Sequence, residues 1–367
     1  MKKTKIFIII AVILLIIITG IGSKGEPVEN LGIVVGIGND IEKKGSEVSY
    51  NVSYLLYSIE SGNKLITRVL PGYGNSIGAT RENRQLISGR KLQIGLSKLF
   101  VFSQDNAESG LRNILDISLS NPDINDRAAC VVCKGKAEDM LKYQVKGFQS
   151  SAEFIQGMVK NLQEYNFFPD QYSLMDLNVR VDSEGRNSLL PYVEIKDDSI
   201  ETTGLAIFKK DKMVAKADMN ETKIINMLKE NDVKGMLTLQ NGSKYINCYT
   251  TAKNKITCSK EDGKYKFIIN LNLKGNIVSN ELYNNVETDP KVMKRFEVDM
   301  ANYVQKMSND FINKSKCQYK TDVLDLGRIA AAKYGICTGT NWDEVICNSD
   351  IEVNVKFTVD GEGRGDY

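Results

Sequence analysis

The sequence contains no histidine. That absence removes the commonest general base, the usual partner of a nucleophilic serine and the usual zinc ligand, and much enzyme chemistry goes with it. A basic excess is also missing. The chain carries 48 Lys and Arg against 46 Asp and Glu, and its first 22 residues hold three lysines and no acid, so the remainder has 45 against 46. Both signs are interspersed, which excludes the clustered basic face of a nucleic-acid binder. Among the seven cysteines there is only one C-x-x-C, Cys130 to Cys133, so the paired motif of a zinc site is lacking too. That motif sits in "RAACVVCKG", which reads as a strand, where residues three apart point to opposite faces. A redox motif would open a helix instead, so these are expected to be buried structural cysteines.

One long hydrophobic run is present. After Met-Lys-Lys-Thr-Lys, all thirteen residues from Ile6 to Ile18 are apolar, the charged and hydrophobic regions of an export signal. Extended to Gly22, the run would form a helix about 25 Å long, at the lower limit for crossing a hydrocarbon core. Two outcomes stay open. A peptidase could cut after Gly22, with Gly20 and Gly22 as the small residues, or the segment could be kept as an anchor, with its lysines in the cytoplasm and the bulk outside.

Residues 1–23 are therefore read as a signal or anchor segment, 24–197 as a first domain and 198–367 as a second. In the first, "LGIVVGIG" and "EVSYNVSYLLYS" read as two strands joined by a polar turn. Gly36-Ile37-Gly38 is no nucleotide fingerprint, because a strand follows where a helix would be needed. "PGYGNSIGATRENRQLISGRKLQ" is a Gly-rich loop leading into a helix with Ser76 as N-cap; it lacks the lysine of a phosphate-binding loop. "KLFVFS" and "RAACVVCKG" read as buried strands flanking the helix "DNAESGLRNILDISLS", with Leu111, Ile114, Leu115 and Leu119 on one face. Short helices are expected at Ala137–Tyr143, Ser151–Glu164 and Ser173–Asp182.

The polar "KDDSIE" near Lys196 is the expected boundary. Beyond it come strands, a helix at Glu221–Glu230, and further strands broken by Asn, Gly and Asp turns. Cys248 and Cys258 flank "YTTAKNKIT"; if that stretch is a hairpin centred near Lys253, they face each other as a candidate disulfide. From Asp289 to Lys316 a long helix carries Val292, Phe296, Met300, Tyr303, Val304, Met307 and Phe311 at three- and four-residue spacing, to be packed on an antiparallel sheet. "DIEVNVKFTVDG" alternates as a half-buried strand. The fold class expected is α+β: two exported α/β-type domains with mixed or antiparallel sheets.

Five pieces in this order give a resemblance: the leader; "LGIVVGIG"; the block from "GYGNSIGATRENRQ" to "NPDIN"; "TGLAIFKKDKMVAKADMNET"; and "TDVLDLGRIAAAKYGICTGTNWDEV" before "IEVNVKFTVDGEG". The chain resembles the Ger(x)C spore germination proteins, the C-subunits of nutrient germinant receptors, over its whole length. The resemblance implies an extracytoplasmic protein at the inner spore membrane with no catalytic residues, metal or cofactor. It also implies two membrane subunits as partners, one transporter-like and one with a large soluble domain. Ile21 stands where the family's lipobox has its acylated cysteine, so no lipid is expected there. Two other readings are an exported solute-binding protein with a deep interdomain cleft, and a hydrolase using paired carboxylates. For the latter, Asp322 with Asp325 and Asp197 with Asp198 are the acidic groupings available, each otherwise explained as a turn or helix cap.

Overall fold

The computed structural model describes residues 9–15, 27–45, 47–60, 64–170, 172–336 and 338–362. Residues 9–15 are helical (α1), with their apolar side chains exposed. Ile21 and the expected cleavage position lie outside the described residues. Among the described residues no helix is long and apolar enough to cross a membrane.

The first sheet has ten strands. Its centre is parallel: β1 (Leu31–Lys44), β6 (Leu99–Ser103), β7 (Ala129–Cys133) and β8 (Leu189–Lys196) run the same way. Beside β1 lie β2 (Glu47–Glu60) and β3 (Lys64–Leu70), both antiparallel, with the short β4 (Tyr73–Gly74) on β2 and β5 (Lys91–Gln93) on β1. Helices cover the parallel centre, so its strands are apolar on both faces. All of β6 is buried, and so is β7 from Cys130 to Cys133. Burial raises both thiols, and Cys130 and Cys133 are free.

Local chemistry sets the helix ends. Ser76 caps α2 (Ile77–Ile87) through the Ala79 N–H, and Ser150 caps α6 (Ser151–Tyr165) through that of Glu153. The helix expected over residues 105–120 is two, α3 (Gln104–Ser109) and α4 (Arg112–Leu119), because Gly110 takes φ +118 between them. Leu111, Ile114 and Leu115 are buried as expected, but Leu119 is exposed. The Ala137 and Glu138 N–H groups at the start of α5 (Ala137–Lys142) donate to Asp40 on β1. In α7 (Leu174–Asp182), Ser173 and Asp176 form a capping box.

The expected boundary falls at a hairpin of the first sheet. Asp197 and Asp198 both take positive φ, +48 and +58, and form a two-residue hairpin between β8 and β9 (Ser199–Lys209) in the same sheet. The hairpin to β10 (Lys212–Ala217) follows, so residues on both sides of position 197 build one sheet. The core is likewise continuous through both halves. Helix α8 (Met219–Lys229), boxed by Asp218 and Glu221, packs against strands of both sheets.

The second sheet has four strands: β11 (Val233–Asn241), β12 (Lys244–Glu261), β13 (Lys264–Asn280) and β14 (Asp350–Glu362). Three are antiparallel, as expected, but β14 runs parallel to β13. The candidate Cys248–Cys258 pairing is overturned: "YTTAKNKIT" is the straight middle of β12, with Cys248 opposite Leu237 and Cys258 opposite Phe267. Ten residues of strand separate the cysteines by about 33 Å, and both are free. The physical reason lies in Asn254, whose amide donates to the Met227 and Glu230 carbonyls at the end of α8 instead of making a turn.

The long helix α9 (Pro290–Lys314) begins on an Asp289 cap and buries Phe296, Met300, Val304 and Phe311, while Tyr303 points outward. It lies along β14 rather than across the middle of the sheet. Gln305 accepts from the Val355 N–H and Glu297 from that of Val359, so helix side chains satisfy backbone groups of the outermost strand. A π-turn (Ser315–Tyr319) continues it, and α10 (Leu326–Tyr334) and α11 (Trp342–Cys347) follow.

Candidate functional site

Where the two halves meet, a loop from the first locks into two from the second. The first part of this clasp is the loop of residues 183–188, between α7 and β8; the others are the 320–327 segment leading into α10 and the start of α11. Gly185, at φ +66, crosses Gly327 so closely that a Cβ on Gly185 would lie 2.4 Å from the Gly327 carbonyl carbon. The Arg328 N–H donates to the Gly185 carbonyl at 2.9 Å. Trp342 packs over Gly327 and donates its indole N–H to Glu184 at 2.9 Å.

Beneath that crossing lies a buried charge cluster. Asp325, itself at φ +56, receives Arg180 Nη1 at 2.8 Å, Lys229 Nζ at 3.1 Å and Arg186 Nε at 3.8 Å, all on Oδ2. Burial alone would raise its pKa; Lys229 and Arg180 outweigh that and hold it below the usual carboxylate range. Asp322 is different. Its carboxylate accepts the N–H groups of Leu324, Leu326 and Gly327, at 3.2, 3.1 and 2.6 Å, and so caps α10. Burial, and then the charge of Asp325, push it up to about 7. Asn187 ties the parts together, donating to Asp343 at 2.7 Å and to the Asp322 carbonyl at 3.2 Å. Lys209, at the β9–β10 turn, sits 3.6 Å from Asp343.

Two clefts flank the clasp. One of about 660 Å³ is lined by Arg112, Glu184, Arg186, Lys209, Trp342 and Asp343, and one of about 410 Å³ by Arg180, Arg186, Lys229, Asn254 and Arg328. Of the acidic groupings singled out in the sequence, Asp197 and Asp198 are an exposed turn. Asp322 is a helix cap, and Asp325 is not the solvated cap or turn expected but the anion of a buried ion-pair cluster. Both carboxylates are thus engaged by the fold, and they line different clefts, Asp322 the larger and Asp325 the smaller, rather than facing each other across one groove. Sequence reasoning missed Arg180, Arg186, Asn187, Lys229 and Asp343. Nothing local marks them, since each is an ordinary polar residue until the fold gathers it. Among the described residues no group of His, Cys, Asp and Glu is arranged to hold a metal.

The architecture is that of an α+β protein with two sheets fastened by a charged clasp, and comparison places it in a known class. Residues 24–195 match the family described as "Spore germination protein N-terminal domain", and residues 203–363 that described as "Spore germination B3/ GerAC like, C-terminal". The chain belongs to the Ger(x)C family of spore germination proteins. It is 23% identical, over 98% of its length and 99% of the relative's, to the spore germination protein GerQC of Bacillus cereus. Its fold is similar to the crystal structure of the GerBC protein, with a TM-score of 0.57 at 16% identity, covering 89% of this chain and 97% of that one.

Proposed function

We propose that this protein is a non-enzymatic, membrane-tethered subunit of a spore nutrient germinant receptor, which helps assemble the receptor and pass on the germination signal. The observation that carries this reading is the ordered match of both germination-protein segments over residues 24–363, on a fold similar to that of GerBC. Its task is then one of surfaces, presented by two halves that the clasp holds together. The bulk lies on the extracytoplasmic face of the inner spore membrane, held by the apolar leader, and the partners are the receptor's two membrane subunits. A solute-binding role draws less support, because closing a cleft on a ligand needs halves that move, and the clasp resists that motion.

Affinity purification of the tagged chain from spore membranes tests the reading: the two membrane subunits should co-purify, and their absence would sink it. Spores lacking the protein should respond poorly to one class of nutrient and grow normally afterwards. A fatty-acid analogue should leave the native chain unlabelled and label Ile21→Cys, since acylation needs a thiol at that position.

A further inference from the structure

We infer that the end of the first sheet at which β1 begins is a membrane-contact face, whose exposed leucine, isoleucine and methionine side chains enter the bilayer interface. The inference rests on the tethering proposed above and names the surface the tether brings down. Strand registers define this end. Leu31 of β1 lies beside Lys91 of β5, and Ile59 of β2 beside Leu65 of β3, so four strand ends meet there. Arg90, just after α2, donates to the Ile59 carbonyl at 3.2 Å and fixes the end of that helix at the same level.

Large apolar side chains crowd this end. Leu86 and Ile87 in the last turn of α2 are 84% and 52% exposed, and Leu96, in the loop between β5 and β6, is 57% exposed. Asn125, in the loop after α4, donates to the Ser97 carbonyl at 2.7 Å, which ties the loop that follows α4 to this one, and Leu119, the last residue of α4, is exposed. The Met175 N–H donates to the Asp126 carbonyl of that loop and adds a further exposed apolar side chain at the start of α7. The opposite end of the same strands is charged instead, with Glu42 paired to Lys136 and Lys134 to Glu194. Exposed apolar side chains gathered at one end of a sheet mark an interaction surface, and the opposite end, though it exposes Tyr73 and Ile195, sets them among these ion pairs.

Chain connectivity chooses a bilayer as its occupant. The apolar run ends at Ile18 and the described chain resumes at Pro27, so eight residues, 19 to 26, intervene. At full extension eight residues span about 28 Å at most. Pro27 leads through one 3-10 turn (Val28–Asn30) into β1 at the apolar end, so this end stays next to the membrane that holds the leader, and the opposite end points away. Side chains of this type at that depth suit the boundary between headgroups and acyl chains.

The test uses the full chain in vesicles of phosphatidylglycerol and phosphatidylcholine, the latter carrying acyl chains brominated near the headgroup. The native protein has one tryptophan, the buried Trp342, as an internal reference. In Leu86→Trp and Leu96→Trp the added emission should fall about twofold relative to unbrominated vesicles, as for a side chain at the interface. Tyr303→Trp on α9 and the native Trp342 should be unaffected. If the protein floats with the vesicles but neither variant is quenched, the face is wrong and the tether stands. Should it not float at all, the tether and the face both fall.

Discussion

The two sheets solve the same problem in opposite ways. The first is covered on both faces, so β6 and β7 are buried without interruption; the second buries one face, and β12 alternates, with Ile246, Cys248, Thr250 and Ala252 inward and their neighbours outward. Central strands of the first are protected by neighbours on each side. In the second, β14 has backbone groups capped by helix side chains, Glu297 and Gln305. Tolerance to change should follow coverage rather than strand membership.

Substitutions can break that comparison, beginning with the severest. Val131→Asp in β7 and Phe296→Asp, under the second sheet between Tyr283 and Phe357, each bury an uncompensated charge. Each should cost roughly 5 kcal/mol and leave little folded protein by circular dichroism. An unchanged melting temperature in either would show that the face is not covered. At the joint between the sheets, Asp325→Ala leaves Arg180, Arg186 and Lys229 facing one another and should cost about 3–5 kcal/mol in urea titration.

The pH dependence of the joint has a definite sign. Asp322 has a folded-state pKa near 7, above its ordinary 3.8, so its contribution is full below pH about 4 and is lost as pH rises toward 7. The loss should be on the order of 4 kcal/mol, and Asp322→Asn should flatten the stability profile across that window. Asp325 acts the other way, since its depressed pKa makes its contribution fade only as the medium becomes more acidic than the usual carboxylate range. A wild-type profile that rises from pH 4 to 7 would contradict the assignment. Gly185→Ala, strained at φ +66 and pressed on Gly327, should cost about 1–3 kcal/mol and loosen the clasp, seen as faster hydrogen exchange at Arg328. Smallest of all, Thr257→Asp on the open face of β12 should stay within about 0.5 kcal/mol of wild type. A large effect there would mean that this face is covered after all.

Several elements were legible before any coordinates, because short-range physics decides them. The Phe296, Met300, Val304 and Phe311 stripe is a matter of helical period, the Ser76 cap of one hydroxyl and one N–H, and the buried Cys130–Cys133 strand of uninterrupted apolar composition. Local pattern was ambiguous where it serves two structures. Lys196-Asp197-Asp198-Ser199 has the polarity of a linker and the conformational tolerance of a two-residue hairpin, and pairing with β9 chose the hairpin. The stretch around Lys253 has the composition of a turn, and the carbonyls at the end of α8 recruited Asn254 into a straight strand instead.

The sequence by itself determined the elements, their caps and the family, since these depend on residues within a turn or two of each other or on their order along the chain. Only the tertiary structure decided the clasp. Asp325 lies 145 positions from Arg180 and 96 from Lys229 (325 − 229), and no local pattern reports a contact closed across such a loop. The same holds for the parallel direction of β14 and for the gathering of Leu86, Leu96 and Leu119 at one end. Direction and neighbourhood belong to the packed sheets, whose burial energy selects among arrangements that are locally equivalent.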